Sequence, residues 1–272
     1  MISVSSRMVC YTKNYLNMTS KKIDNTSWGG VAEWYGEYLE KEGTYQSEVI
    51  LPNLVRLISP QKGERILDLA CGQGFFTREI VKSGASVVSA DIAPELIAEA
   101  RKNVSNAEFH VAPASELSFA KNGEFDVVFC VLALQNIEDI FFVFKEVRRV
   151  LKVGGRFIMV LNHPTFRVLR RSSWEWDEEQ KAQYRRIDGY LSLSKVSIDM
   201  HPGSKQKQKT ISYHRSLQDF FKPLTKAGFA VSRLEEWVSH KASGKGPRQK
   251  AEDVARKEIP LFMALEARGF HK

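Results

Sequence analysis

Arg65-Ile66-Leu67-Asp68-Leu69-Ala70-Cys71-Gly72-Gln73-Gly74 is the stretch whose reading decides the fold. An apolar strand runs into an acidic residue and then a Gly-x-Gly turn. Gly72 and Gly74 carry no Cβ, so the chain can bend sharply and a ligand can lie against its backbone. Nineteen residues past Gly72 a second strand, Ala85-Ser86-Val87-Val88-Ser89-Ala90, ends at Asp91. A carboxylate at that strand end can accept both hydroxyl protons of a ribose. Strand, glycine turn, helix and strand-end carboxylate together predict a nucleotide-binding half-unit.

Two features separate this unit from a dinucleotide site. The dinucleotide pattern places Gly or Ala at position 77, where helix and strand pack closely and a pyrophosphate meets the helix. Here Thr77 stands there, preceded by Phe75 and Phe76. Asp68 also puts an anion just before the turn. It would repel a pyrophosphate but attract the ammonium of a methionine moiety. The balance favours S-adenosylmethionine over NAD.

Asp68-x-x-Cys71-Gly72-x-Gly74 followed by Asp91 resembles the first two motifs of class I S-adenosylmethionine-dependent methyltransferases. Further segments resemble the remaining motifs in order: 111–119 the adenine-contacting segment, 125–130 the fourth strand, 134–139 the loop behind it, and 147–157 a helix, double-glycine turn and fifth strand. The resemblance spans roughly residues 64–161 and is nearest the ubiquinone and menaquinone biosynthesis methyltransferases. It implies S-adenosyl-L-methionine as cofactor and methyl transfer as activity; the aromatic-rich segment 163–215 and the absence of appended binding domains point to a small-molecule acceptor. Pro113 departs from it, because the family often has Asp there to contact the adenine amino group. Adenine recognition is then expected from backbone at Ala112 and Ala114, or from Ser115.

The surrounding chain predicts a Rossmann-like, doubly wound α/β fold. Its seven-stranded, mostly parallel sheet has strands near 65–70, 85–90, 107–112, 125–132 and 156–161, with helices near 75–83, 94–103 and 139–151. Phe229–Trp237 and Pro260–Ala267 are expected to complete it as a final antiparallel pair. Residues 1–25 read as a disordered leader and 26–272 as a single domain: a cofactor core at 64–162, a substrate lid inserted at 163–215, and a closing helix and strands at 216–272. Helices around Val31–Leu39 and Gln46–Leu57 are expected to cover the pocket. Tyr190–Leu193 and Val196–Met200 read as strand pieces of the lid, Lys209–His214 as its return strand, Ser216 as a helix cap, and 239–257 as a flexible connector.

Composition narrows the alternatives. Of 272 residues, 40 are Lys or Arg and 32 Asp or Glu, a net charge of +8 that admits an acidic partner such as RNA. The cations are spread along the chain, without a basic stripe interleaved with exposed aromatics, so a solvated basic surface is favoured. An RNA methyltransferase is the second reading, against which no Asn-Pro-Pro-aromatic motif follows the fourth strand. A non-catalytic S-adenosylmethionine-binding protein is the third. Cys10, Cys71 and Cys130 are odd in number and widely spaced, which suggests neither a disulfide framework nor a metal site, and a cytoplasmic setting. No apolar run approaches a membrane span and no signal peptide is visible.

The cofactor candidates are Asp68, Cys71, Gly72, Gly74, Asp91, Ile92, Ala114, Ser115, Gln135 and Tyr45. Gly72 and Gly74 would back the methionine portion and Asp91 the ribose. Asp68 either meets the amino group or braces the turn. Ile92 packs on adenine or joins the core. Gln135 lies near the sulfonium or only opens a helix. Tyr45 closes over the cofactor carboxylate or packs as an aromatic. Candidate proton acceptors are His163, at the carboxyl end of the fifth strand, then His214 and Tyr190, each with a structural role as its alternative.

Overall fold

The computed structural model describes residues 28–31, 36, 39, 41–199 and 209–270. The expected leader, Met200 of the expected strand piece Val196–Met200 and most of the helix around Val31–Leu39 lie outside the described residues. Strands β1 (Arg65–Leu69), β2 (Ser86–Asp91), β3 (Glu108–Val111), β4 (Phe125–Val131), β5 (Leu151–Asn162), β10 (Phe229–Trp237) and β11 (Phe262–Gly269) form one sheet. Its order is β10-β11-β5-β4-β1-β2-β3. β1 through β5 pair in parallel, and β11 runs antiparallel to both β5 and β10. The last strand of the sequence therefore sits inside the sheet, and β10 is the edge.

The strands alternate between two cores, as a two-residue period requires. Leu67 and Leu69 pack with Val88, Val128, Cys130 and Met159 on one face. Helices α4 (Ile140–Val150) and α5 (Leu217–Lys226) cover that face through Val143, Phe144, Val147, Phe220 and Leu224. Ile66 packs with Val87, Val127, Phe129 and Ile158 on the other. There α1 (Leu51–Ile58) contributes Leu54, Leu57 and Ile58, and α2 (Phe75–Ile80) contributes Ile80. Helix α3 (Pro94–Asn103) covers the β2–β3 end through Ile97 and Ala100. A parallel sheet buried on both faces explains why these strands read as continuous apolar runs.

Several expectations needed correction. The helix expected over Gln46–Leu57 is present, as a π-helical turn Gln46–Ile50 that becomes α-helical at α1, whose second residue is Pro52, but it packs on the sheet face of Ile66 and Val87 and does not line the cavity at the carboxyl ends of the strands. Proline removes one N–H from the ladder, so the α-helical register restarts there. β5 begins at Leu151, ahead of the double glycine. Its register against β4 jumps from Leu151↔Phe125 to Arg156↔Val127, with Gly154 at φ +80° absorbing the extra residues. Residues 190–193 form a turn, and the segment after β5 holds two antiparallel pairs: β6 (Ser172–Asp177) with β7 (Ala182–Ile187), and β8 (Ser194–Asp199) with β9 (Lys209–His214). The supposed connector contains helix α6, Gln249–Glu258, of which only Ala255 is buried. A helix with so little apolar face leaves no periodic signal. Ser216 does cap α5, in a capping box with Asp219.

Candidate functional site

The carboxyl ends of β1, β2 and β4 enclose a cavity of about 530 Å³, within the range of roughly 300–1,000 Å³ usual for small-molecule sites. Gly72, Asp91, Ile92, Ala114 and Ser115 line it, so five of the ten cofactor candidates gather there. Ala112 and Pro113 complete the wall on the side of Ser115, and no carboxylate stands among the lining residues of that segment. Ala70 and Leu132 also line it, at the ends of β1 and β4, with φ of +60° and +53°. Left-handed backbone at non-glycine residues is costly and concentrates at functional sites.

Asp91 organises the floor. One carboxylate oxygen accepts the Gly72 N–H and the other the Ala93 N–H, both at 2.9 Å. Burial raises its proton affinity, and the backbone N–H groups of Ala93 and Gly72 oppose that rise. Each oxygen keeps a lone pair for a ribose hydroxyl. Gly72 has φ +57°, and a Cβ there would stand in open space. Gly74 plays a different part. A Cβ on it would lie 3.3 Å from Val104 and 3.4 Å from Ala100, so it lets the turn approach the end of α3 and does not line the cavity.

Asp68 lies one layer below. It is 2% exposed and accepts the Thr77 hydroxyl at 2.7 Å, while Thr77 meets Ser89 at 3.0 Å. Thr77, which spoils a dinucleotide pattern, thus satisfies a buried acid. Burial pushes the Asp68 carboxyl up to about 7, against the Thr77 hydrogen bond and with help from Asp91. Cys71 turns its thiol into the α3 core beside Ile97 and Ala100, and burial raises its pKa. Tyr45 packs edge-on against Phe262 and His240, away from the cavity.

The lid supplies walls that the sequence did not reveal. Thr210, Ile211 and Tyr213 of β9 line the same cavity, with Asn136 and Glu138 from the loop after β4. Asn136 donates its side-chain amide to Ile211 O at 3.0 Å. Arg215 is buried and donates to the carbonyls of Leu134, Ile137 and Glu138, which clamps β9 to that loop. Trp28 packs on Ala93 and Leu96 and also lines the cavity. A lone tryptophan followed by Gly29-Gly30 was the only signal for it.

The proton-acceptor candidates separate as well. His163 is 3% exposed and lines neither this cavity nor a smaller one beside it. Its Nδ1 accepts the N–H groups of Thr165 and Phe166, so Nε2 carries the proton and donates to Glu236 at 2.6 Å. Burial lowers its pKa, with Glu236 opposing. Both nitrogens are thus committed to fixing the turn after β5. Tyr190 accepts the Leu217 N–H with its hydroxyl and the His214 Nε2–H with its carbonyl. That bond leaves the His214 Nδ1 as an acceptor. His214 and Gln135 both line a second cavity of about 70 Å³, which shares Tyr213 with the first. No cluster of metal-ligating side chains occurs among the described residues.

Residues 67–159 match the profile of a methyltransferase domain. A demethylmenaquinone methyltransferase of Chlorobaculum parvum is 32% identical over 177 residues, covering 63% of this chain and 68% of that protein. A ubiquinone biosynthesis O-methyltransferase of Xanthomonas oryzae is 32% identical over 105 residues, 37% of this chain, which thus spans only 44% of that relative's length. Among solved structures, an S-adenosylmethionine-dependent methyltransferase from Mesorhizobium loti superimposes with a TM-score of 0.63 at 27% identity, covering 80% of this chain and 96% of that one.

The two glycines should respond oppositely to alanine. In calorimetric titration with S-adenosylhomocysteine, Gly72→Ala should weaken binding by more than about tenfold, because its methyl group meets the ligand. It should lower stability by only ~1–2 kcal/mol through the left-handed φ. Gly74→Ala should lose more stability and, where folded, keep its affinity. Asp68 gives a pH signature. Its raised pKa makes the folded state bind the extra proton, so the stability it contributes is full below about 4 and lost as pH rises through about 7. Thermal melts of the ligand-free protein should show wild type losing ground to Asp68→Asn across that window; parallel pH curves would refute the assignment.

Proposed function

The chain belongs to the class I S-adenosylmethionine-dependent methyltransferases, and from that premise we propose that it methylates a small-molecule acceptor held between the carboxyl edge of the sheet and the β8–β9 hairpin. The observation that carries this reading is the pair of cavities sharing Tyr213, one floored by Gly72 and Asp91 and the other lined by His214 and Gln135. The first fits the cofactor. Gly72 leaves open space above the turn, Asp91 presents oriented lone pairs, and Ile92, Ala112 and Pro113 offer an apolar slot for adenine. Bound there, the cofactor supplies a methyl group already activated by its sulfonium charge.

The residues then contribute position and exclusion of water more than chemistry. Proximity and orientation account for up to roughly 7–11 kcal/mol of barrier in favourable cases. Asp91 fixes the ribose, the β1 turn backs the methionine portion, and β9 with Asn136 closes the cavity from above. With the cofactor bound, an acceptor lone pair would bond to the methyl carbon as the carbon–sulfur bond broke, the electron pair staying on sulfur. If the acceptor atom carries a proton, the Nδ1 of His214 receives it. Of the three candidates in the sequence, His214 alone lines a cavity and keeps a free ring nitrogen. The quinone-pathway names of the relatives support a small acceptor, and the fold of the lid supports an enclosed one.

Transfer from methyl-tritiated S-adenosylmethionine should label compounds in a low-molecular-weight metabolite extract, with matching release of S-adenosylhomocysteine. His214→Asn should reduce kcat by about 10²-fold or more with the affinity for S-adenosylhomocysteine unchanged. Label appearing only in RNA, with binding that falls steeply as salt rises, would establish the nucleic-acid reading instead. Cofactor binding without any product would mark a binding protein.

A further inference from the structure

Two arginines line the second cavity, and a third stands behind them. Arg167 lines it as an exposed side chain whose guanidinium stands over the Phe262 ring, 5.9 Å from the centroid, with no ion-pair partner among the described residues. Arg215 lines it too, and its donors go to three backbone carbonyls, which satisfy hydrogens without neutralising charge. Asp139, Asp219 and Glu138 face Arg215 only beyond ion-pair distance. Arg185 stands behind Arg167, donating to Phe166 O at 2.9 Å and Ser172 Oγ at 2.8 Å. Burial first, and the charge of Arg167 second, lower the proton affinity of Arg185. Among the described residues, none of the three forms an ion pair. Among the other titratable neighbours, His214 donates to Tyr190 O, and Tyr45, near Arg167, meets Ser239.

One polar atom in the same wall lacks a partner. The Oε1 of Gln135 is buried and accepts no hydrogen bond. Its orientation is fixed, because Nε2 must face the carbonyl of Leu132, to which it donates. A buried acceptor left unsatisfied is costly, so this atom calls for a donor from outside the chain. The cavity therefore pairs a cation with an open ion-pair position, Arg167, with an acceptor that has no donor, the Oε1 of Gln135, beside His214.

We propose that this cavity receives the head group of the methyl acceptor, and that the acceptor is a small organic acid carrying a hydroxyl or amino group near its anionic group. The inference rests on the methyltransferase reading and narrows it. Arg167 binds the anion. In the bound complex the hydroxyl or amine donates to Gln135 Oε1; for transfer it turns its hydrogen to His214 Nδ1, which takes that proton as the oxygen or nitrogen bonds to the methyl carbon. The leaving sulfur keeps the electron pair of the broken bond, so charge and atoms balance. Arg215 and Arg185 are positioning residues that maintain the positive field without touching the ligand.

The test uses the full chain saturated with S-adenosylhomocysteine, titrated calorimetrically with 2-, 3- and 4-hydroxybenzoate and, separately, with their methyl esters. At least one acid should bind about tenfold or more tightly than its ester, the scale of a charge-assisted hydrogen bond. Arg167→Gln should abolish that preference while leaving S-adenosylhomocysteine affinity unchanged. Gln135→Leu should weaken the hydroxybenzoate but not benzoate. Equal binding of acid and ester, no binding of any acid by the S-adenosylhomocysteine-loaded protein, or a preference that survives Arg167→Gln would overturn the proposal. Failure of S-adenosylhomocysteine itself to bind would instead remove the methyltransferase reading beneath it.

Discussion

The site depends on one constraint: the Asp91 carboxylate holds the ends of two parallel strands together. β1 and β2 are already paired from Arg65↔Ser86 to Leu69↔Ala90. Beyond that ladder the chain must leave the sheet, and its N–H groups lose their strand partners. Asp91 supplies acceptors for two of them, at Gly72 and Ala93. The glycine turn and the start of α3 are thereby fixed to one carboxylate. That same carboxylate is the group that can face a ribose, so the interaction that shapes the turn also orients the ligand. A preformed floor of this kind lowers the ordering cost of binding.

A second layer of polar contacts stabilises the floor from below, and a third closes it from above. Asp68, Thr77 and Ser89 form a satisfied polar network within an otherwise apolar core face. Because these groups are buried, each hydrogen bond matters more than it would at the surface. Above, Arg215 and Asn136 bind backbone carbonyls across the gap between β9 and the loop after β4. Two cavities result, one beneath β9 and one beside it, with Tyr213 in the wall between them. Methyl transfer would use such an arrangement, with cofactor and acceptor next to each other.

The sequence disclosed the parts that local chemistry determines. Gly72, Asp91, Ile92, Ala114 and Ser115 all stand at or just after the carboxyl ends of strands, where an open α/β sheet binds ligands. Apolar runs marked the strands because both sheet faces are buried. Tertiary partners were less legible. Nothing near Asn136 indicates that its amide meets Ile211, 75 residues away. His163 looked suited to proton transfer because it follows β5, yet Glu236 and two backbone N–H groups claim its ring. Gly74 read as a ligand-backing glycine because only the structure brings α3 against it. The β6–β7 hairpin escaped notice because its turn, 178–181, contains no glycine, and Lys181 adopts φ +51° instead. Charged α6 was read as a connector for want of an apolar stripe.

The most direct test of the account is a crystal structure of the full chain with S-adenosylhomocysteine. The account predicts both ribose hydroxyls on the Asp91 carboxylate, the homocysteine portion over Gly72, and adenine between Ile92 and the 112–115 segment, with β9 in place above them. A ligand lying elsewhere, or one whose ribose leaves Asp91 bonded only to Gly72 and Ala93, would contradict it.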